Sequence, residues 1–123
     1  MTEDPPVEIH GLRDLIGACA ACLGRAKAGD VVGIDLNGRS QLAEYMLIAS
    51  GTSDRHVIAV AQRLEKLLRR SGVRNIRLSG LATGEWVIVD LGVMLVHILR
   101  PEARSRYRLE ELYRALAAGD GAP

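Results

Sequence analysis

At 123 residues, with 48% apolar and 25% charged side chains, the chain has the size of one domain with its own core, not the composition of a disordered tail. Sixteen Lys and Arg against fifteen Asp and Glu leave a formal charge of +1, so the overall balance offers no concentrated basic footprint for nucleic-acid phosphates. No apolar run approaches the roughly 18–20 residues that cross a bilayer, and the opening Met1-Thr2-Glu3-Asp4-Pro5-Pro6 lacks the basic-then-apolar form of an export signal, which predicts a cytoplasmic protein.

Residues 1–8 read as a disordered lead and 118–123 as a frayed tail, with the domain between them at 9–117. From Leu12, the positions Leu12, Leu15, Ile16, Cys19, Leu23 and Ala26 recur at helical spacing and predict a helix over 11–27, ended by Gly29 and Asp30. Cys19 and Cys22 form a C-x-x-C pair. A redox pair of that kind needs its first thiol at a helix N-terminus, and a zinc site needs two further ligands. Inside a helix and near its apolar stripe, the two read as small buried apolar residues.

Val31-Val32-Gly33-Ile34-Asp35-Leu36 is a short, β-branched apolar run and predicts a buried strand. Asn37-Gly38 marks a turn, and Tyr45-Met46-Leu47-Ile48-Ala49 a second buried strand. Gly51-Thr52-Ser53-Asp54 leads into a helix whose stripe is Val57, Val60, Ala61, Leu64, Leu67 and Leu68, with Arg63, Lys66 and Arg70 facing water. Gly72 closes it. The cluster Arg69, Arg70, Arg74 and Arg77 reads as the solvated end of this helix and its turn, with RNA contact at most peripheral.

A short strand at Ile76-Arg77-Leu78 follows. Strands at 85–90 and 93–99 are joined so tightly at Leu91-Gly92 that they must pair as an antiparallel hairpin. Pro101 opens a helical segment that ends in a helix carrying Leu109, Leu112 and Leu116. The order α-β-β-α-β-β-β-α predicts a single α/β domain, a mixed five-stranded sheet flanked by helices.

Chemistry finds little purchase. Gly51-Thr52-Ser53 before a helix could hold a phosphate, but no Walker pattern follows and helix capping accounts for the segment. Asp35, Glu44 and Asp90 are the strand-associated carboxylates, and no two are set to share a magnesium ion. His10, His56 and His97 lie in no nucleophile motif; His97, between Val96 and Ile98, reads as a hydrogen-bonded structural residue. No catalytic residue, metal site or cofactor is expected. The alternatives kept open are a metal-dependent nucleotidyltransferase-like enzyme and an RNA-binding module. Trp86, the single tryptophan, and Tyr107 are side chains of the kind that dominate interface energies, although in a chain without Phe a core role for Trp86 is the simpler expectation.

Two blocks carry a resemblance. Asp35-Leu36-Asn37-Gly38-Arg39-Ser40, Glu44-Tyr45-Met46 and Ala49-Ser50-Gly51-Thr52-Ser53-Asp54-Arg55-His56-Val57 form the first. Gly84-Glu85-Trp86-Val87-Ile88-Val89-Asp90-Leu91-Gly92, Val96-His97-Ile98, Glu102-Ala103-Arg104 and Tyr107-Arg108-Leu109-Glu110-Glu111-Leu112 form the second. From about Leu12 to Tyr113 the chain resembles the Iojap family of ribosomal silencing factors. The resemblance implies a nucleotidyltransferase-like fold without the catalytic carboxylates. It implies binding to large-subunit ribosomal protein L-fourteen, steric exclusion of the small subunit and repression of translation under nutrient limitation. A surface prepared for a partner can also pair with itself, so a homodimer is an expectation for the free protein. It points to Trp86 and Tyr107 as partner contacts, with Asp90, Leu91, Glu102 and Leu109 flanking them. Three positions depart from the family pattern: Glu44 stands for a usual Asp, Val93 for a usual Asp and Tyr113 for a usual Trp.

Overall fold

The computed structural model describes residues 3–119. Helix α1 (Leu12–Arg25) precedes β1 (Gly29–Asp35) and β2 (Tyr45–Ser50); α2 (Asp54–Arg70) leads to β3 (Arg77–Ser79), β4 (Trp86–Asp90) and β5 (Met94–Leu99). The chain ends in α3 (Pro101–Tyr107) and α4 (Leu109–Ala117). The five strands form one mixed sheet in the order β1-β2-β5-β4-β3. β2 and β5 are parallel at its centre, and the other three pairings are antiparallel.

The two faces of the sheet carry separate cores. On one, Leu47, Ala49, Val87, Val89, Val96 and Ile98 pack against the stripes of α1 and α2. All six predicted stripe residues of α2 are buried, because residues three and four apart share one face of a helix. Ser53 caps this helix by accepting the His56 amide at 3.1 Å. On the other face Ile34, Met46, Ile48, Leu95 and Leu99 meet Ala103 of α3 and Leu109 of α4. Gly51, at the end of β2, is required by close approach: a Cβ there would lie 2.6 Å from a Val57 methyl.

Cys19 and Cys22 are fully buried on the α1 stripe as free thiols. Burial pushes their pKa values up to about 12 and about 11, so both are held in the unreactive protonated form.

Several expectations need correction. β1 is not a buried strand: it lies at the edge of the sheet, pairs only with β2, and buries Ile34 alone. Its apolar run serves one face of the sheet. The C-terminal helical segment is broken in two at Arg108, which takes a left-handed conformation at φ 51°.

The lead is not disordered from Glu3 to Glu8 either. The Asp4 carboxylate is buried between Arg25 of α1 and Arg63 of α2, at 2.8 and 2.9 Å, and Arg70 donates to its carbonyl. Arg63 was expected to face water and is held by the Asp4 carboxylate instead, whereas Arg70 stays exposed, as expected, while donating to the Asp4 backbone carbonyl. Of the expected tail, Ala118 and Gly119 continue the hydrogen-bonded end of α4, and residues 120–123 lie outside the described ones, as do residues 1 and 2.

The arginines around Asp4 hold its carboxyl well below the usual range, through the Arg63 hydrogen bonds first, against an opposing cost of burial. Asp4→Asn is expected to lower stability by about 1–2 kcal/mol, since a neutral amide loses charge-assisted bonds to partners that remain partly solvated. Urea denaturation at pH 7 checks this; an unchanged midpoint would show that the clamp is energetically idle.

Candidate functional site

β4 alternates between the two cores. Val87 and Val89 point into the helix-covered face, while Trp86, Ile88 and Asp90 project from the other. α4 lies against β1, so the β4 side of this second face is thinly covered, and Trp86 and Ile88 stay partly exposed. The neighbouring β3 residues in register, Arg77 and Ser79, are exposed.

Tyr107, at the end of α3, reaches this open side. Its ring centroid is 4.9 Å from that of Trp86, at an interplanar angle of 43°, and the Arg106 guanidinium sits 5.5 Å from the same ring. Tyr107 is 49% exposed. The row continues inward: Trp86 to His97 at 5.9 Å, then His97 to Tyr113 of α4 at 5.7 Å. The four rings thus run from exposed Tyr107 through buried His97 to partly buried Tyr113.

Trp86 donates its indole N–H to Nδ1 of His97 at 3.1 Å. His97 is 2% exposed, and its Nε2 is buried with no hydrogen-bond partner among the described residues. Since Nδ1 must accept, the ring is neutral with its proton on Nε2. Burial pushes the His97 pKa down to about 4. Tyr113 is partly buried beside it, and burial raises its phenol pKa.

What holds Tyr107 in place is a buried cation one turn earlier on α3. Arg104 donates to Ser50 Oγ at 2.8 Å, to the Asp30 carbonyl at 2.7 Å and to the Glu110 carboxylate. It thereby ties α3 to the end of β2, to the left-handed second residue of β1, and to α4. Around the rim, Arg100 pairs with Asp54 and Glu102, and Arg106 with Glu85. Gly80 faces the backbone of β4: at φ 91°, a Cβ there would meet the Trp86 carbonyl at 1.9 Å.

The structure therefore brings together two of the six predicted contact residues, Trp86 and Tyr107, and places Glu102 on the exposed rim near them. It does not present the other three as free surface. Asp90 spends a carboxylate oxygen on the Gly92 amide at 2.8 Å and so shapes the hairpin turn. Leu91 is buried in the core under α1 and α2, across the sheet from Trp86. Leu109 is 3% exposed, the apolar anchor of α4. Both leucines are corrected from contacts to packing residues, because the left-handed break at Arg108 turns Leu109 inward and the hairpin turn carries Leu91 to the opposite face. Of the departures, Val93 is exposed and its carbonyl accepts the Glu44 amide at 2.8 Å, a backbone bond to which the side chain is immaterial.

The carboxylates weighed for metal binding are not gathered. Asp35 and Asp90 stand on β1 and β4, three inter-strand spacings apart, roughly 14 Å. Asp35 is also engaged by the Asn37 amide. Among the described residues no group of three His, Cys, Asp or Glu side chains could hold a metal ion. At Gly51-Thr52-Ser53, His56 Nδ1 already accepts the Thr52 amide at 2.9 Å while its Nε2 donates to the Ala26 carbonyl. The helix terminus is thus closed by its own residues.

Comparison with known proteins decides the family. The model described as "Ribosomal silencing factor during starvation" matches residues 10–121. The chain belongs to that family. It is 36% identical over 96 residues to the ribosomal silencing factor RsfS of Bacillus subtilis, covering 78% of this chain and 80% of that one. It is 39% identical over 87 residues to the RsfS of Zymomonas mobilis, covering 71% of this chain and 65% of the other. A crystal structure of a Chromobacterium violaceum protein superposes with a TM-score of 0.81 at 30% identity, covering 85% of this chain and 87% of that one. The chain thus shares its fold with that structure over most of its length, and its aromatic row lies on the sheet face opposite α1 and α2. No helix among the described residues is long and apolar enough to cross a membrane.

Proposed function

We propose that this protein silences the large ribosomal subunit by occupancy: the Trp86–Tyr107 side of the sheet docks on ribosomal protein L-fourteen and keeps the small subunit from joining. The observation that carries this is the tilted Trp86–Tyr107 ring pair, left partly exposed by a sheet face that α4 does not cover. An aromatic pair with a charged rim of Arg100, Glu102, Arg106 and Glu85 has the form of an interface centre: large rigid side chains that bury area at little entropic cost, ringed by polar groups.

A contact of roughly 800 Å² per partner would suffice, and no turnover is required. Translation falls because the bound subunit is unavailable. The setting is the bacterial cytoplasm, and in the free protein the same face is open to a second copy of the chain.

Trp86→Ala and Tyr107→Ala are each expected to weaken co-sedimentation with large subunits by about 2 kcal/mol, roughly thirtyfold. A pull-down with purified L-fourteen protein should show the same loss without the rest of the subunit. Undiminished binding by a folded double variant would remove the contact assigned here. Binding of magnesium and nucleoside triphosphate would favour an enzyme instead, and steep salt dependence on naked ribosomal RNA an RNA-binding module.

A further inference from the structure

β5 is buried from Met94 to Leu99, and His97 is its one polar side chain. On the sheet face it occupies, its cross-strand partners are Ile48 and Ile88, and Met46, Leu95 and Leu99 pack nearby. Packing alone would be served by an aliphatic residue, which brings no polar atom to satisfy. His97 instead spends Nδ1 on the Trp86 N–H and leaves Nε2 buried without a partner among the described residues. That orphan is forced: a proton on Nδ1 would set two donors against each other at 3.1 Å, so the tautomer that serves Trp86 is the one that strands Nε2. A buried unpaired donor is a standing cost, retained here for the sake of the other nitrogen.

We propose that His97 is a positioning residue for the docking surface: by accepting the indole N–H from within the core, it locks the Trp86 ring in the orientation that Tyr107 packs against and a partner meets. Trp86 and His97 are diagonal neighbours on paired strands, within reach of long side chains, and the bond fixes the two torsions that an exposed indole would otherwise explore. The ring is thereby ordered before docking, so the partner does not have to order it. This role rests on the proposed use of Trp86 as an anchor, but the bond itself can be tested without any partner.

Trp86 is the only tryptophan, so the labelled protein has a single indole N–H resonance in a proton–nitrogen spectrum. In the native protein that proton should be shifted by its nitrogen acceptor and slow to exchange with water. His97→Leu should abolish both features and weaken large-subunit binding about tenfold, the cost of ordering one large side chain at an interface, with thermal stability equal to the parent or higher. His97→Asn, which offers an amide oxygen close to where Nδ1 stood, should recover the slow exchange and bring binding back to within about threefold. A purely structural histidine would give the reverse pattern: lost stability with binding intact.

Parent-like binding by His97→Leu beside weakened binding by Trp86→Ala overturns the positioning role and leaves the anchor standing. Parent-like binding by Trp86→Ala overturns the anchor and the positioning role together. An indole proton that exchanges equally fast in the parent and in His97→Leu overturns the hydrogen bond itself. Should His97→Leu fail to fold, the His97→Asn spectrum and binding decide alone: recovery of both supports the role, and loss of binding with the indole proton still protected overturns it.

Discussion

Arg104→Met is expected to cost the fold about 3–5 kcal/mol, the range found when one member of a buried charged network is removed and its partners are left behind. Arg104 is only 8% exposed, and its guanidinium is divided among three acceptors. Methionine fills a similar length but accepts and donates nothing useful there. Ser50 Oγ and the Asp30 carbonyl would lose a donor, and Glu110 would keep only its weaker contact to Arg114 at 3.9 Å. The damage should not stay local. α3 is seven residues long and is held to the sheet chiefly through Arg104 and Ala103, so loosening it also frees Tyr107 from Trp86. Arg104→Lys should recover little, because an ammonium cannot span three acceptors in a fixed fork. Urea denaturation gives the loss in stability, and Trp86 fluorescence follows the contact between the two rings. A change below about 1 kcal/mol would mean that the three bonds merely replace equivalent bonds to water.

The parts of this protein that were legible in its sequence share a physical basis: short-range periodicity. The stripes of α1 and α2 were readable because burial at every third or fourth position leaves its mark within a single helix. The hairpin of β4 and β5 was readable because two residues leave no other way to connect adjacent strands. The family blocks likewise lie in contiguous segments.

What escaped depends on distant partners. The run Val31 to Ile34 looks the same whether its strand is central or at an edge, and only the order β1-β2-β5-β4-β3 makes it an edge. Asp4 reads as one more charge in a polar lead, because the arginines that bury it come from positions 25 and 63. Leu109 has the composition of a contact residue, and the left-handed turn at Arg108 that buries it has no glycine to announce it. At the candidate site, the family resemblance pointed to Trp86 and Tyr107, where chemistry alone favoured a core role for Trp86. Arg104 and the His97 bond could not be read, since one needs the docking of α3 and the other the register of β4 on β5.

The same histidine predicts an acid limb in the stability curve. In the unfolded chain His97 titrates near 6.5, whereas in the fold burial holds its pKa down to about 4. Below pH 6.5 the unfolded chain therefore binds a proton that the folded protein refuses, and stability falls as the pH drops through that window. The gap between the two values corresponds to roughly 3 kcal/mol lost by pH 4, a large share of the 5–15 kcal/mol typical of a domain. Asp4 acts lower still. Its carboxyl is depressed below the ordinary value of 3.8, so its stabilisation is intact above that pH and drains away beneath it. The two effects are separable by substitution. His97→Leu should flatten the curve between pH 6.5 and 4 while leaving the steeper fall below it, and Asp4→Asn should do the opposite. Denaturation midpoints at pH 3 and 2 read the Asp4 effect, and those at pH 7, 6, 5 and 4 the His97 effect. If the parent and His97→Leu lose stability in parallel across that range, the buried imidazole is not what the acid reaches first. The proton would then be entering elsewhere, at a group that the row of aromatic rings does not contain.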